Sequence, residues 1–166
     1  MGTLWQMRAC SDTGPILHLK GINQLNLFKI CSKVFISPSL KEELLKYKIE
    51  KLPWNFELKE INKDQVGIIA EKYSLDIGES SAIWLCKSLK VPLLLIDDLE
   101  GRETAISLEI KPTGTIGIIA RCFREKIINK EAAIKSINDL YKTSSLFITR
   151  KLVEEAIRSV RDFEHK

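Results

Sequence analysis

The sequence predicts an α/β fold, a three-layer α/β/α sandwich around a central, mostly parallel sheet. Short apolar segments of strand length alternate with longer segments in which apolar residues recur at three- and four-residue spacing, as in helices that pack on a sheet. Residues 91–96 are all apolar, which is typical of a parallel strand buried on both faces. The 166 residues, 45% of them hydrophobic, suit a single domain covering residues 1–166.

The first part of the chain predicts two units in which a strand runs into a helix. Apolar residues between Trp5 and Cys10 indicate the first strand, residues 12–15 form a turn, and Gly21 ends the helix that follows. A second strand at residues 34–36 leads to a helix that begins in the box Ser39-Leu40-Lys41-Glu42. In such a box the serine and glutamate side chains bind free backbone amides of the first turn.

The rest of the chain continues the alternation. Asn62 is placed to cap a helix that residues 74–78 interrupt, and Glu79 opens the next helix. After the buried strand at residues 91–96, we predict a helix over 99–108, a strand at 109–112 and an apolar helix that starts in Thr113-Gly114-Thr115. Two more helices complete the chain.

The composition excludes several classes of protein. No apolar run approaches the roughly 18 to 20 residues of a membrane-spanning helix, so we expect no membrane segment. The first residues lack the apolar core and cleavage site of a secretory signal, so we expect a cytoplasmic protein. The four cysteines form no CxxC pair, and only two histidines accompany them. We therefore predict free, buried thiols rather than a zinc site.

Acidic residues follow the predicted strands or stand at the helix starts beside them. Asp12 follows the first strand, Glu43 lies one turn into the helix after the second, Glu79 starts a helix, and Asp97 and Asp98 end the buried strand. In parallel sheets, the loops after the carboxyl ends of the strands line one crevice. A site built only from carboxylates favours hard cations, which predicts Mg²⁺ or Mn²⁺ as the cofactor.

Asp12 and the acids after the second strand each have a structural alternative. An aspartate before a helix often caps it, but Pro15 suits the first helical position and places the cap at Gly14. Glu42 occupies the third position of the predicted capping box, whereas its neighbour Glu43 has no such role. Glu43 is therefore the better candidate for a functional acid.

The later acids have alternatives as well. Glu79 by itself needs no role beyond complementing the positive end of a helix dipole. Asp97 and Asp98 follow a buried strand, where a carboxylate is costly unless it is neutralised. Arg102, one turn further on, is one partner for either aspartate, and a divalent cation shared with Asp12 and Glu79 is the other.

Five segments carry a family resemblance: SDTGPILHL, ISPSLKEEL, DIGESSAIWL, LLLIDDLEGRETA and PTGTIGII. In this order, over about residues 9–155, they closely resemble the successive motifs of PIN domains. The resemblance is greatest to the compact prokaryotic branch, whose relatives include the ribonuclease toxins of toxin–antitoxin pairs. It implies a metal-dependent endoribonuclease in which Asp12, Glu43 and Glu79 match the first three acids.

The fourth acid depends on the alignment of the buried strand. The family's T-x-D pattern selects Asp98, with Ile96 in place of the threonine and Asp97 between them, and both aspartates are kept as metal ligands. The resemblance also makes Thr13 and Thr115 candidates for orienting the acids, with local capping as the alternative. Arg102 is the candidate phosphate contact.

The sequence thus predicts hydrolysis of RNA phosphodiester bonds by Asp12, Glu43, Glu79 and Asp98 with Mg²⁺ or Mn²⁺. The net charge of +4 favours a polyanionic substrate. Alternatives are a PIN-fold module that binds RNA or a protein without cutting it, and a toxin held in check by a small antitoxin protein. The last two helices either cover the sheet or form a homodimer interface through their apolar residues, which are Ile127, Ile134, Ile137, Leu140, Leu152, Val153, Ala156 and Ile157.

Overall fold

The computed structural model describes residues 7–143 and 148–165 and contains a five-stranded sheet. Every pair of neighbouring strands is parallel, and their spatial order is β3-β2-β1-β4-β5. The strands are β1 (Arg8–Ser11), β2 (Lys33–Ile36), β3 (Phe56–Leu58), β4 (Leu93–Leu95) and β5 (Lys111–Thr113). The predicted parallel sheet is confirmed, while the prediction for Trp5 lies outside the described residues.

Helices follow or precede each strand in turn. They are α1 (Thr13–Gly21), α2 (Pro38–Lys46), α3 (Lys63–Tyr73), α4 (Ile77–Leu89), α5 (Leu99–Ser107), α6 (Thr115–Arg124), α7 (Lys130–Thr143) and α8 (Arg150–Asp162). A 3₁₀ helix, Leu25–Ile30, joins α1 to β2. Within these described ranges, no helix is long and apolar enough to cross a membrane.

The two faces of the sheet are covered by different helices, as the predicted sandwich requires. Ala9, Val34 and Leu95 belong to one core, with α1, α2, α6, α7 and α8 packed on it. Cys10, Phe35 and Leu94, which alternate with them along the strands, belong to a second core under α3, α4 and α5. Side chains alternate because successive residues of a strand point to opposite faces. The α/β/α architecture is thereby confirmed.

The cysteines are free and buried, in agreement with the sequence. Burial raises the pKa of the Cys31 thiol to about 12 and, as the first of several causes, that of Cys122 to about 12. A thiol that holds its proton so firmly is a poor nucleophile and a poor metal ligand. These residues therefore serve as small apolar side chains of the core.

The last two helices cover the sheet. Ile137 and Leu140 of α7 and Val153 and Val160 of α8 are buried in the same core as β1 and β4. Ile134, Ala156 and Ile157 pack against that core as partly buried side chains. Covering the sheet therefore accounts for most of the apolar residues that prompted the dimer hypothesis.

Three helix starts differ from the sequence prediction. Ser37, not Ser39, caps α2: its hydroxyl accepts a hydrogen bond from the amide of Leu40 at 3.2 Å, because Pro38 occupies the first helical position. Helix α1 begins at Thr13, so the cap position is Asp12 and not Gly14. Helix α4 begins at Ile77 with Asp76 as its cap, which puts Glu79 inside the first turn.

Candidate active site

Carboxylates from four elements meet at the carboxyl edge of the sheet. Strands β1 and β4 are neighbours, and the amide of Asp12 donates to the carbonyl of Leu95 at 2.9 Å. Asp12 follows β1 and Asp98 follows β4, while Glu43 comes from α2 and the pair Asp76 and Glu79 from the start of α4. The parallel register thus brings together residues that are far apart in sequence.

Two glycines mark the points at which these carboxylates approach one another. A Cβ atom placed on Gly78 would lie 3.4 Å from Asp76 Oδ1, 3.6 Å from Asp12 Oδ1 and 3.9 Å from Glu43 Oε2. A Cβ atom on Gly101 would lie 3.5 Å from Glu79 Oε2 and equally far from Asp98 Oδ2. We call the five residues the acidic cluster; its members are Asp12, Glu43, Asp76, Glu79 and Asp98.

Asp12 is the most deeply buried acid for which the pKa is shifted. Burial, followed by the negative charges of Asp76, Glu43 and Asp98, raises its pKa from 3.8 to about 7, although the backbone amide of Thr13 acts in the opposite direction. Asp12 stands at the cap position of α1, yet its side chain makes no capping hydrogen bond. Its carboxylate is therefore available for another role.

Glu79 has a raised pKa as well. Burial is the largest cause, and a hydrogen bond to Asp76 and the charges of Asp76, Asp98 and Asp12 add to it, so the pKa rises from 4.5 to about 8. The backbone amide of Glu79 also donates to Asp76 Oδ1 at 2.7 Å. Without a cation, the acidic cluster thus retains protons near neutral pH.

Glu43 and Asp98 each accept one further hydrogen bond. The hydroxyl group of Thr13 donates to Glu43 Oε2 at 3.0 Å, so this threonine orients the acid from α2 rather than its neighbour Asp12. The amide of Gly101 donates to Asp98 Oδ2 at 2.8 Å, so Asp98 caps α5. Both carboxylates keep one oxygen outside these hydrogen bonds.

Asp97 belongs to a different network. Its Oδ1 accepts from the amide of Thr115 at 2.7 Å, and its Oδ2 accepts from the hydroxyl group of Thr115 at 2.6 Å and lies 2.7 Å from His18 Nδ1. The side chains of Asp97 and His18 are only 9% and 12% exposed. Asp97 thereby joins the end of β4 to α6 and α1, while Asp98 faces the acidic cluster.

Arg102 lies beside this second network. It is half-buried and lines a cavity of about 360 Å³ together with Asp97 and Thr115. Among the described residues, no carboxylate forms an ion pair with Arg102 within 4 Å, so of the two alternatives for neutralising Asp97 and Asp98 the pairing with Arg102 is not formed. Its guanidinium group remains available to an anion.

The donor set of the acidic cluster fits a hard divalent cation. All its donors are carboxylate oxygens, which Mg²⁺ and Mn²⁺ prefer, and a cation would replace the protons that now neutralise Asp12 and Glu79. Within residues 7–143 and 148–165, however, no three His, Cys, Asp or Glu side chains are already arranged to hold a metal ion. Binding therefore requires these side chains to rearrange.

The structure brings together Asp12, Glu43, Glu79 and Asp98, places Asp97 and Thr115 in the neighbouring network, and adds Asp76. Asp76 was missed because it stands in the segment interpreted as a helix break. Its signal is the spacing Asp-x-x-Glu at residues 76–79, which is a capping box with aspartate as the cap.

A parallel α/β/α sandwich binds its ligands at the carboxyl edge of the sheet, and the clustered carboxylates lie at that edge. Comparison with protein families matches residues 8–162 to the PIN domain, a nuclease-type fold, and the chain belongs to the PIN-domain family. No curated protein and no solved structure matches the chain. The family membership agrees with the resemblance carried by the five sequence segments.

Proposed function

We propose that this protein is an endoribonuclease that hydrolyses RNA phosphodiester bonds with Mg²⁺ or Mn²⁺. The observation that supports it most is the convergence of carboxylates around Asp12, together with the raised pKa values of Asp12 and Glu79. Acidic groups whose charged form is disfavoured by burial and by nearby negative charges are typical of functional sites. Divalent ions bound there supply an activated water and stabilise the leaving oxygen.

Each residue of the site has a role in this proposal. Asp12, Glu79 and Asp98 hold the cation, with Glu43 completing its surroundings and Thr13 fixing the orientation of Glu43. Asp97, which the sequence analysis also predicted as a metal ligand, keeps α6 in place through its hydrogen bonds with Thr115. Arg102 contacts a phosphate next to the scissile one, since it lines a cavity with Asp97, the neighbour of Asp98, and forms no ion pair with a carboxylate among the described residues.

RNA is the proposed substrate because the family resemblance implies it, and the distribution of charge favours a polyanion. The chain has a net charge of +4 although five acids are gathered in one cluster, so the remaining surface is more basic than the total indicates. A basic surface around a cation-binding crevice suits a polyanion. The cytoplasm is the proposed compartment of this activity.

The test is titration of metal-stripped protein with Mn²⁺ by calorimetry, followed by RNA cleavage under the same conditions. Asp12→Ala and Glu79→Ala are expected to lose both saturable binding and cleavage. Glu71→Ala, which removes an exposed acid of α3, is the matched control and is expected to keep both. Undiminished metal-dependent cleavage by Asp12→Ala would contradict the assigned site.

A second candidate function is a module that binds RNA or a protein without cutting. It is favoured by one observation, namely that the described residues contain no three ligands already arranged for a metal ion. This candidate predicts that folded wild-type protein, whether it binds RNA or a protein, neither binds Mn²⁺ nor cleaves RNA. The same titration therefore separates the two functions.

The biological setting that we propose is a toxin whose activity is blocked by a small antitoxin protein. The proposal comes from the family resemblance, and it is tested by co-expression with the product of a neighbouring short reading frame. Formation of a complex with loss of RNA cleavage would support it. A homodimer is a separate proposal. If analytical ultracentrifugation at high protein concentration detects monomer and no dimer, that result would count against it.

A further inference from the structure

A second cavity adjoins the acidic cluster. It has a volume of about 500 Å³, and Glu43 and Gly78 line both this cavity and the crevice that contains Asp12. Its outer wall is formed by Lys46 and Tyr47 at the end of α2 and by Ile77 at the start of α4. A ligand in this cavity is therefore in direct contact with the candidate active site.

The outer wall exposes more apolar surface than the fold requires. Tyr47 is 59% exposed and Ile77 is 51% exposed, although both are large side chains. The core already receives its contribution from α2 through Leu40 and Leu44, which are 1% exposed. Two exposed apolar side chains that line one concave cavity are typical of a binding site rather than of a surface in water.

The charges of the same cavity suggest how a nucleotide is placed. Lys46 lies beside Tyr47, whereas Glu42 forms another part of the wall and repels phosphate. A base can contact Tyr47 and Ile77 while its backbone phosphate lies near Lys46 and away from Glu42. Stacking on an aromatic ring is available to any of the bases, because each has a π-face.

We propose that Tyr47, Ile77 and Lys46 form a subsite for one unstacked nucleotide of single-stranded RNA, adjacent to the phosphate that is cleaved. Tyr47 stacks on the base, and Lys46 contacts the backbone. The position of the scissile phosphate rests on the proposed function, whereas the binding of the base does not. A base inside a duplex is already stacked on both faces, so the subsite also selects single strands.

The test measures binding of a short single-stranded RNA by fluorescence anisotropy in an Asp12→Asn background, in which cleavage is not expected. Adding Tyr47→Ala is expected to raise Kd roughly five- to 150-fold, the usual range for losing one stacked base. Tyr47→Phe retains the ring and is expected to bind within about twofold of its parent. Tyr141→Ala, which removes an exposed tyrosine of α7, is the control and leaves Kd unchanged.

A series of RNAs with one abasic position identifies the nucleotide concerned. For the RNA that lacks the base bound by Tyr47, the Kd values of the parent protein and of Tyr47→Ala are expected to be equal, as in a double-mutant cycle. An equal Kd for the two proteins on every RNA would overturn the subsite. In the cleavage-competent protein, Tyr47→Ala is expected to raise KM more than it lowers kcat.

The two proposals fail in different ways. If the wild-type protein cleaves RNA and Tyr47→Ala cleaves it with the same KM, the subsite is wrong and the nuclease function stands. If RNA binding depends on Tyr47 but no RNA is cleaved with Mn²⁺, the nuclease function is wrong and the subsite stands. Circular dichroism of Tyr47→Ala confirms folding, which we expect because the side chain is exposed.

Discussion

Asp12 contributes to the dependence of the metal-free protein's stability on pH. Its pKa is about 7 in the folded chain and 3.8 as an isolated group, so the folded state disfavours the charged form. The stability that the protonated group contributes is complete below about pH 4 and is lost as the pH rises through about 7. Wild-type protein in EDTA is therefore expected to be less stable at pH 8 than at pH 5.

Replacing Asp12 by Asn tests this directly, because asparagine cannot ionise. Asp12→Asn is expected to exceed the wild type in stability at pH 8 by on the order of a few kcal/mol, and to exceed it by less at pH 5. Urea denaturation at both pH values measures the difference. A variant that is less stable than the wild type at pH 8 would show that the burial of this charge costs little.

Asp97 and Asp98 are expected to behave differently although they are adjacent. Asp97→Asn leaves one accepting oxygen in place of two, so the hydrogen bonds that the amide and the hydroxyl group of Thr115 donate to Asp97 cannot both be kept, and it should cost about 1–3 kcal/mol of stability. Its affinity for Mn²⁺ should stay near that of the wild type. Asp98→Asn should weaken Mn²⁺ binding instead. If calorimetry shows that Asp97→Asn weakens Mn²⁺ binding and Asp98→Asn does not, Asp97 is the metal ligand and Asp98 is not.

The sequence could not decide between these two aspartates. Both follow β4, where the backbone is no longer a strand, so the alternation of side chains that assigns strand residues to faces no longer applies. Which carboxylate faces Thr115 depends on where α6 packs. The position of α6 relative to the two aspartates is a tertiary contact, and in a single sequence only the family resemblance indicates it.

At the level of secondary structure elements, the start of α6 depends on a glycine. A Cβ atom on Gly114 would lie 2.8 Å from Asp97 Oδ1 and 2.9 Å from Arg102 Nη1. The φ angle there is −86°, so the restriction is steric and not conformational. Gly114→Ala is expected to displace α6 from Asp97 and to cost about 1–3 kcal/mol in urea denaturation.

Gly67 supplies the matched control for this experiment. It lies within α3, and a Cβ atom added to it would meet no atom of the described residues within 4 Å, so Gly67→Ala adds helix propensity without a clash there. It is expected to stabilise the protein by about 0.5–1 kcal/mol. Equal effects of the two substitutions would mean that the contact at Gly114 is not tight.

Most elements were predictable because their apolar residues follow a clear period. The exceptions are short: β3 has three residues at the edge of the sheet, none of them buried, and the 3₁₀ helix has six. The start of α2 was misplaced by two residues, since the chain offers two serines around Pro38 and only packing selects Ser37. Local sequence thus predicts the centres of elements better than their ends.

At the scale of the whole molecule, the topology of the sheet explains where the acidic cluster lies. The chain proceeds from β1 outwards to β2 and β3, and then returns to the other side of β1 for β4 and β5. The crevice between β1 and β4 is the point at which this direction reverses, and parallel sheets bind ligands there. Asp12 and Asp98 follow these two strands, which is why strand order alone predicts their convergence.

Metal binding should therefore stabilise the whole molecule, because the ligands come together only in the folded chain. At about a hundred times Kd, a ligand specific for the native state adds about 2.7 kcal/mol of stability. Mn²⁺ is expected to raise the Tm of the wild type and of Glu71→Ala, and to leave that of Asp12→Ala unchanged.

The size of this Tm shift should depend on pH with a definite sign. Protons compete with the cation for Asp12 and Glu79, whose pKa values are about 7 and 8, so the shift should be larger at pH 8 than at pH 6. Differential scanning calorimetry at fixed Mn²⁺ concentration measures both values. Only ligands that titrate between these pH values can make the Tm shift depend on pH. A shift that is the same at pH 6 and pH 8 would therefore place the bound cation elsewhere on the protein. A shift that persists in Asp12→Ala would do the same.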